Sequence, residues 1–154
     1  MIVDLLAAAA LAGLASQPST LLQQAAQPLW QVAYDGENLA AVDRAPVRSS
    51  PVAPVDINYW IFMPEADGVD AIVSAMTVDC AARTFVHHSF SGYHGTSFIG
   101  ASAATDTSTQ TAEADTLFGA MVAHVCDPQP EGREAPDFAS YRDAVTARRE
   151  LARP

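Results

Sequence analysis

The sequence predicts an α+β fold, an antiparallel β-sheet of about five or six strands backed by a helix that is disulfide-linked to the sheet. Three observations lead to it. Short apolar runs separated by turn residues follow one another from Leu29 to Ala101. A single amphipathic stripe comes after them, with Leu117, Met121 and Val125 flanked by Phe118 and Val122, a spacing that lines one helical face. The chain's two cysteines, Cys80 and Cys126, fall at the end of a strand and at the end of that helix.

The elements read in order as follows. Residues 29–34 and 38–43 are apolar runs around Asp35-Gly36, and a DG turn between two such runs signals a β-hairpin. Residues 44–55 carry three prolines and two serines and read as an irregular loop. Ile57–Met63 is dense in aromatic and β-branched residues and is the candidate central strand. Pro64 to Gly68 reads as a turn, and 70–79 as the next strand, with Ile72, Met76 and Val78 on the face of Cys80. Residues 82–90 alternate, placing Arg83, Phe85, His87 and Ser89 on one side and Thr84, Val86, His88 and Phe90 on the other. A turn at Gly92–Gly95 and a short strand at 96–101 follow, then a polar loop over 102–111. The helix is expected over 112–126, capped by Thr111, with Glu113 and Asp115 where its dipole favours anions. Asp127-Pro128 ends it, 127–135 reads as a linker, and 136–152 as a last helix.

Four segments result. Residues 1–15 read as a signal peptide or an N-terminal hydrophobic helix, since the apolar run Leu5–Ala15 has the length of a leader core and is too short to span a bilayer. Gly13-Leu14-Ala15 suits cleavage after Ala15, although the run lacks the basic residue that opens such leaders. Residues 16–28 form a linker or short helix, 29–127 the α+β domain, and 128–154 a linker and C-terminal helix.

Composition narrows the function. The formal charge is −10 and the pI about 4.5. Such a chain repels phosphate backbones and anionic lipid, which argues against nucleic-acid binding and leaves membrane contact to the N-terminal segment. All eight basic residues are arginine, which removes the lysine that Schiff-base and P-loop chemistry require. In an exported chain two cysteines imply a bridge, and they are too few for a structural zinc site. The rival reading is a redox pair, but such pairs normally sit as C-x-x-C.

Several motifs carry a family resemblance. A Trp60-led strand is followed by Val78-Asp79-Cys80 and by Ala82-Arg83-Thr84-Phe85. A Tyr93/Gly95 turn comes next, and a helix closes on His124-Val125-Cys126. With Tyr34-Asp35-Gly36 and Val42-Asp43 upstream, this pattern resembles the surface-adhesin protein E family of Gram-negative bacteria over about residues 29–127. The resemblance implies an antiparallel sheet backed by helices, a periplasmic or outer-surface location, and binding of another protein rather than catalysis. The polar 102–112 stretch and the scarcity of basic residues depart from the family pattern.

The chemistry-bearing residues give weaker signals. His87, His88 and His94 are the candidate metal cluster, but neighbours on a strand point to opposite faces unless a bulge intervenes. Glu65, Asp67 and Asp70 sit in a turn and read as solvated. Tyr59, Trp60 and Phe62 read as core. The stripe Phe138, Tyr141 and Val145 on the last helix either docks on the domain or forms a partner-binding face. No catalytic motif and no cofactor are indicated. The expectation is a non-enzymatic exported envelope domain that binds another macromolecule, with a protein as partner and a homodimer as one form of it. The alternative is an accessory subunit of a membrane complex, anchored by its N-terminal hydrophobic helix.

Overall fold

The computed structural model describes residues 26–153. The expectations for residues 1–15, and for most of 16–28, therefore lie outside the described residues. One antiparallel sheet is built from β1 (Trp30–Tyr34), β2 (Leu39–Val42), β3 (Val55–Ala66), β4 (Val69–Asp79), β5 (Thr84–His94) and β6 (Ser97–Ala103) in sequential order. A seventh strand, β7 (Gln110–Thr111), pairs with the start of β5. Two helices follow, α1 (Leu117–Cys126) and α2 (Tyr141–Leu151). The α+β class, the antiparallel sheet and the helix bound to it by Cys80–Cys126 are as the sequence predicts.

The sheet is covered on both faces, and strand parity sorts the residues. Val55, Ile57 and Tyr59 of β3 face α1, together with Trp30, Val42, Met76, Val78 and Phe85. Trp60 and Phe62 of the same strand face α2, with Leu39, Ala41, Val73 and Tyr93. A strand buried on both faces has no polar side to alternate with, which is why 59–63 reads as an unbroken aromatic and aliphatic run. Trp60 packs 5.1 Å from the Tyr141 ring and 5.3 Å from Tyr93. Phe138, Tyr141 and Val145 are all buried in this second core. The last helix thus docks on the domain it follows.

Four details differ from the sequence reading. The turn after β3 is only Asp67-Gly68, both with positive φ (53° and 76°). Pro64 lies inside β3, where the register shifts between Phe62 and Ala66, and a bulge tolerates the missing N–H. In β5 the register skips His88, since Met76 faces His87 while Ala75 faces Ser89. That bulge returns Phe90 to the side of His87, with ring centroids 5.0 Å apart, instead of the side of His88. β5 also runs on to His94, so the turn is at Gly95-Thr96, and β6 extends through Ser102 and Ala103 into the stretch read as loop.

The fourth difference is the start of α1. Thr111 is in β7 opposite Thr84, so it cannot cap. Thr116 caps instead, its hydroxyl accepting from the Gly119 amide at 3.0 Å and donating to the Glu113 carbonyl at 2.7 Å. Residues 113–114 cross directly over the first turn, where a Cβ on Gly119 would collide with the carbonyl oxygens of Glu113 and Ala114. Glycine is needed there for that close approach.

Candidate binding surface

The bridge sits at one corner of the molecule. Cys80 directly follows β4 and Cys126 closes α1, with Cα atoms 5.2 Å apart. The turn that follows Cys80 is held by Asp79, whose Oδ1 accepts from the amides of Ala81 and Ala82. Arg83, in a left-handed conformation, donates to both carboxylate oxygens of Asp127. The sulfurs are enclosed, since Cys80 and Cys126 are both buried. This corner is a clamp.

The histidines occupy separate surroundings. His87 is buried and shares a 2.7 Å hydrogen bond between Nδ1 and the Ser74 hydroxyl, amid the rings of Phe85, Phe90 and Phe118. His88 is exposed on the other face, bound to Thr77, which also donates to Asp56. His94 is 3.8 Å from Glu65 at the far end of β5. His124, on α1, donates to the Arg44 carbonyl. Among the described residues no group of three or more His, Cys, Asp or Glu is arranged to hold a metal ion. The Ser74–His87 pair has the residue types of a nucleophile and its base. Both side chains are buried, however, and neither lines one of the larger surface cavities. The acids in the β3–β4 turn are likewise dispersed: Asp70 accepts from the Gly95 amide and pairs with Arg149, while Asp67 shapes the turn.

Burial holds the pKa of His87 below its ordinary value, with Asp106 opposing and His88 adding to the shift. Burial does the same at His124, with the Arg44 carbonyl opposing. The sign follows from linkage. A histidine with a depressed folded-state pKa is protonated more readily when unfolded, so its contribution is complete above the unfolded value of about 6.5 and is lost as the pH falls below it. The melting temperature is therefore expected to decline between about pH 6.5 and 5, against the relief of acidic self-repulsion. Replacing His87 by Asn, which keeps a partner for Ser74, should make that decline shallower. Melting curves of the two proteins across this range check it, and equal slopes would count against His87 as a source.

The two sheet edges differ most. At β1 the chain closes its own edge. Leu29 and Phe138 exchange two backbone hydrogen bonds at 2.8 and 3.0 Å. The Gln31 amide donates to Asp137 at 2.8 Å, and the Trp30 indole donates to the Glu134 carbonyl. At β6 nothing comparable is present among the described residues, where the strand pairs with β5 on one side only. Six of its seven residues are exposed. Phe98 and Ile99 are 41% and 57% exposed, and the Phe98 ring leans on Tyr93.

β6 also lacks most of the devices that protect an edge. Such edges are usually blunted by charge, proline or strong bulging. Residues 89–105 contain no Asp, Glu, Arg or Pro. The one irregularity against β5 is a single bulge in β6 at Ile99, which is skipped between Phe98 opposite Tyr93 and Gly100 opposite Gly92, and Gly100–Ala103 run in regular register with Ser89–Gly92. Beside the strand, on the sheet face that carries α1, lies an open trough of about 340 Å³ lined by Val69, Ile72, Phe90, Gly92 and Gly100. A second groove of about 220 Å³ runs between β3 and α2 over Phe62, Met63, Val145 and Arg148, with Asp70 and Arg149 already paired across it.

Sequence reasoning placed a strand at 96–101 but not its openness. The usable signal was the absence of charge from Ser89 to Thr105 in so acidic a chain. Set against family models, curated proteins and solved structures, the chain matches none.

Proposed function

We propose that the protein is a non-enzymatic, exported envelope domain that binds another protein by adding a strand along β6. The observation that carries this reading is the contrast between the two sheet edges: one is closed by the protein's own backbone, the other is bare among the described residues and carries exposed Phe98 and Ile99. In strand addition, main-chain hydrogen bonds supply affinity and neighbouring side-chain pockets supply selectivity. The regular register of Gly100–Ala103 offers the first, and the trough beside it offers the second. Export is supported by the Cys80–Cys126 bond, because disulfides form and persist in oxidising compartments. The resemblance of the 29–127 motifs to the protein E family favours the same envelope setting.

The test is site-specific photocrosslinking in intact cells. A photoreactive residue at Ser97 or Ala101 is expected to give a protein adduct, whereas one at Gln31, on the closed edge, should give none. Adducts at Gln31 alone, or at neither edge, would refute the reading.

A further inference from the structure

We infer that the partner on β6 is a second copy of this chain, two β6 strands meeting antiparallel so that two six-stranded meanders become one continuous sheet. This rests on the reading of β6 as the binding edge and names what occupies it.

Charge is the first argument. The protein carries −10, so two copies repel each other wherever their acidic surfaces approach. The segment from Ser89 to Thr105 makes up most of β5, all of β6 and the turn between them, and it holds no Asp, Glu or Arg. Its one basic side chain is His94, at the end of β5 beside Glu65. Here two copies can touch without opposing carboxylates. A foreign partner selected for an acidic protein would be expected to set arginines or lysines against those carboxylates, and β6 presents none for it to meet.

Chain geometry is the second argument. An edge with regular backbone and small side chains (Gly100, Ala101, Ser102, Ala103) is self-complementary, because a two-fold axis turns an antiparallel edge onto itself and every donor finds an acceptor of the same strand. The apolar area that pairing would cover is also in place. Phe98 and Ile99 are two of the four large hydrophobic side chains that stand exposed among the described residues, and they are adjacent on this edge. The opposite edge cannot serve, since residues 134–138 occupy it.

The oxidised full chain is tested by sedimentation equilibrium from low micromolar to submillimolar concentration. The expected result is a concentration-dependent dimer. Replacing Ile99 and Ala101 together by Asp should weaken it more than tenfold, by setting carboxylates against their symmetry mates. Val52→Asp, at a residue fully exposed on the 44–54 loop, should leave it unchanged. A monomer at every concentration would overturn the inference, as would a dimer untouched by the β6 substitutions. The circular dichroism of the double variant checks that it folds. If it does not, hydrogen exchange of the unmodified chain decides: β6 amides should slow on concentrating, and constant exchange overturns the inference. Failure here is distinct from failure of the binding reading. A monomer whose Ser97 position crosslinks to a different protein in cells keeps the edge as a binding site and removes the second copy from it.

Discussion

Replacing Cys80 and Cys126 together by serine is expected to cost the domain roughly 4 kcal/mol, the chain-entropy value for a loop of this size. The bond closes a separation of 46 residues that contains β5, β6, β7 and nearly all of α1. Without it, the corner between β4 and α1 retains the Arg83–Asp127 pair, whose side chains are 46% and 48% exposed. An ion pair so open to solvent contributes about 1 kcal/mol at most. The disulfide therefore dominates there, and the loss is large against the roughly 5–15 kcal/mol that holds an ordinary domain together. Urea unfolding of the oxidised protein, the reduced protein and the double variant measures it. The reduced protein and the variant should agree with each other, and a loss below about 1 kcal/mol would show that the helix is held by packing alone.

Trp60→Ala should be comparably severe, costing about 3–5 kcal/mol. Trp60 is 1% exposed and lies between 5.1 and 5.8 Å, centroid to centroid, from the rings of Phe62, Tyr93 and Tyr141. These rings join the central strand, β5 and α2, so the cavity would open at the seam between helix and sheet. The Tyr141 hydroxyl donates to the Gly95 carbonyl, and α2 is otherwise tied to the strands by few polar contacts: Arg148 to the Glu37 carbonyl and Arg149 to Asp70. The variant should thus loosen α2 before the meander. Trypsin should cut first at Arg142, Arg148 or Arg149, while the disulfide-held half stays intact. A variant with an unchanged melting temperature and no faster cleavage in α2 would contradict the packing described.

Much of the fold was legible because local signals and tertiary context agreed. Asp35-Gly36 turns the first hairpin, with Gly36 at φ 97° and Asp35 Oδ1 accepting from the amides of Glu37 and Asn38. The stripe Met121, Val122 and Val125 faces the sheet as its spacing requires. What was missed was decided by contacts distant in sequence. Thr111 is a sound cap in isolation, yet pairing with Thr84 removes it from the helix. The parity of β5 is correct as far as His87, and the bulge at His88 is set by β4 opposite. The last helix left two outcomes open, and the apolar side of Trp60 and Phe62 settled them, since that side needed cover.

The candidate site was less legible for a related reason. Sequence patterns mark what a chain buries, and Phe138, Tyr141 and Val145 proved to be buried. An open edge is a property of neighbours. Nothing in Ser97–Ala103 itself states that no described strand lies beyond it, and nothing in Leu29–Gln31 states that residues 134–138 return to cover them. Only the charge-free composition of 89–105 hinted at it.

Hydrogen–deuterium exchange of the dilute, oxidised protein tests that contrast most directly. The amides of Leu29 and Gln31 at the closed edge should be protected, and the β6 amides that do not bond to β5 should exchange at rates close to those of an unstructured chain. Equal protection at the two edges in the dilute protein would mean that β6 is already covered, and would contradict the reading of this edge as the binding surface.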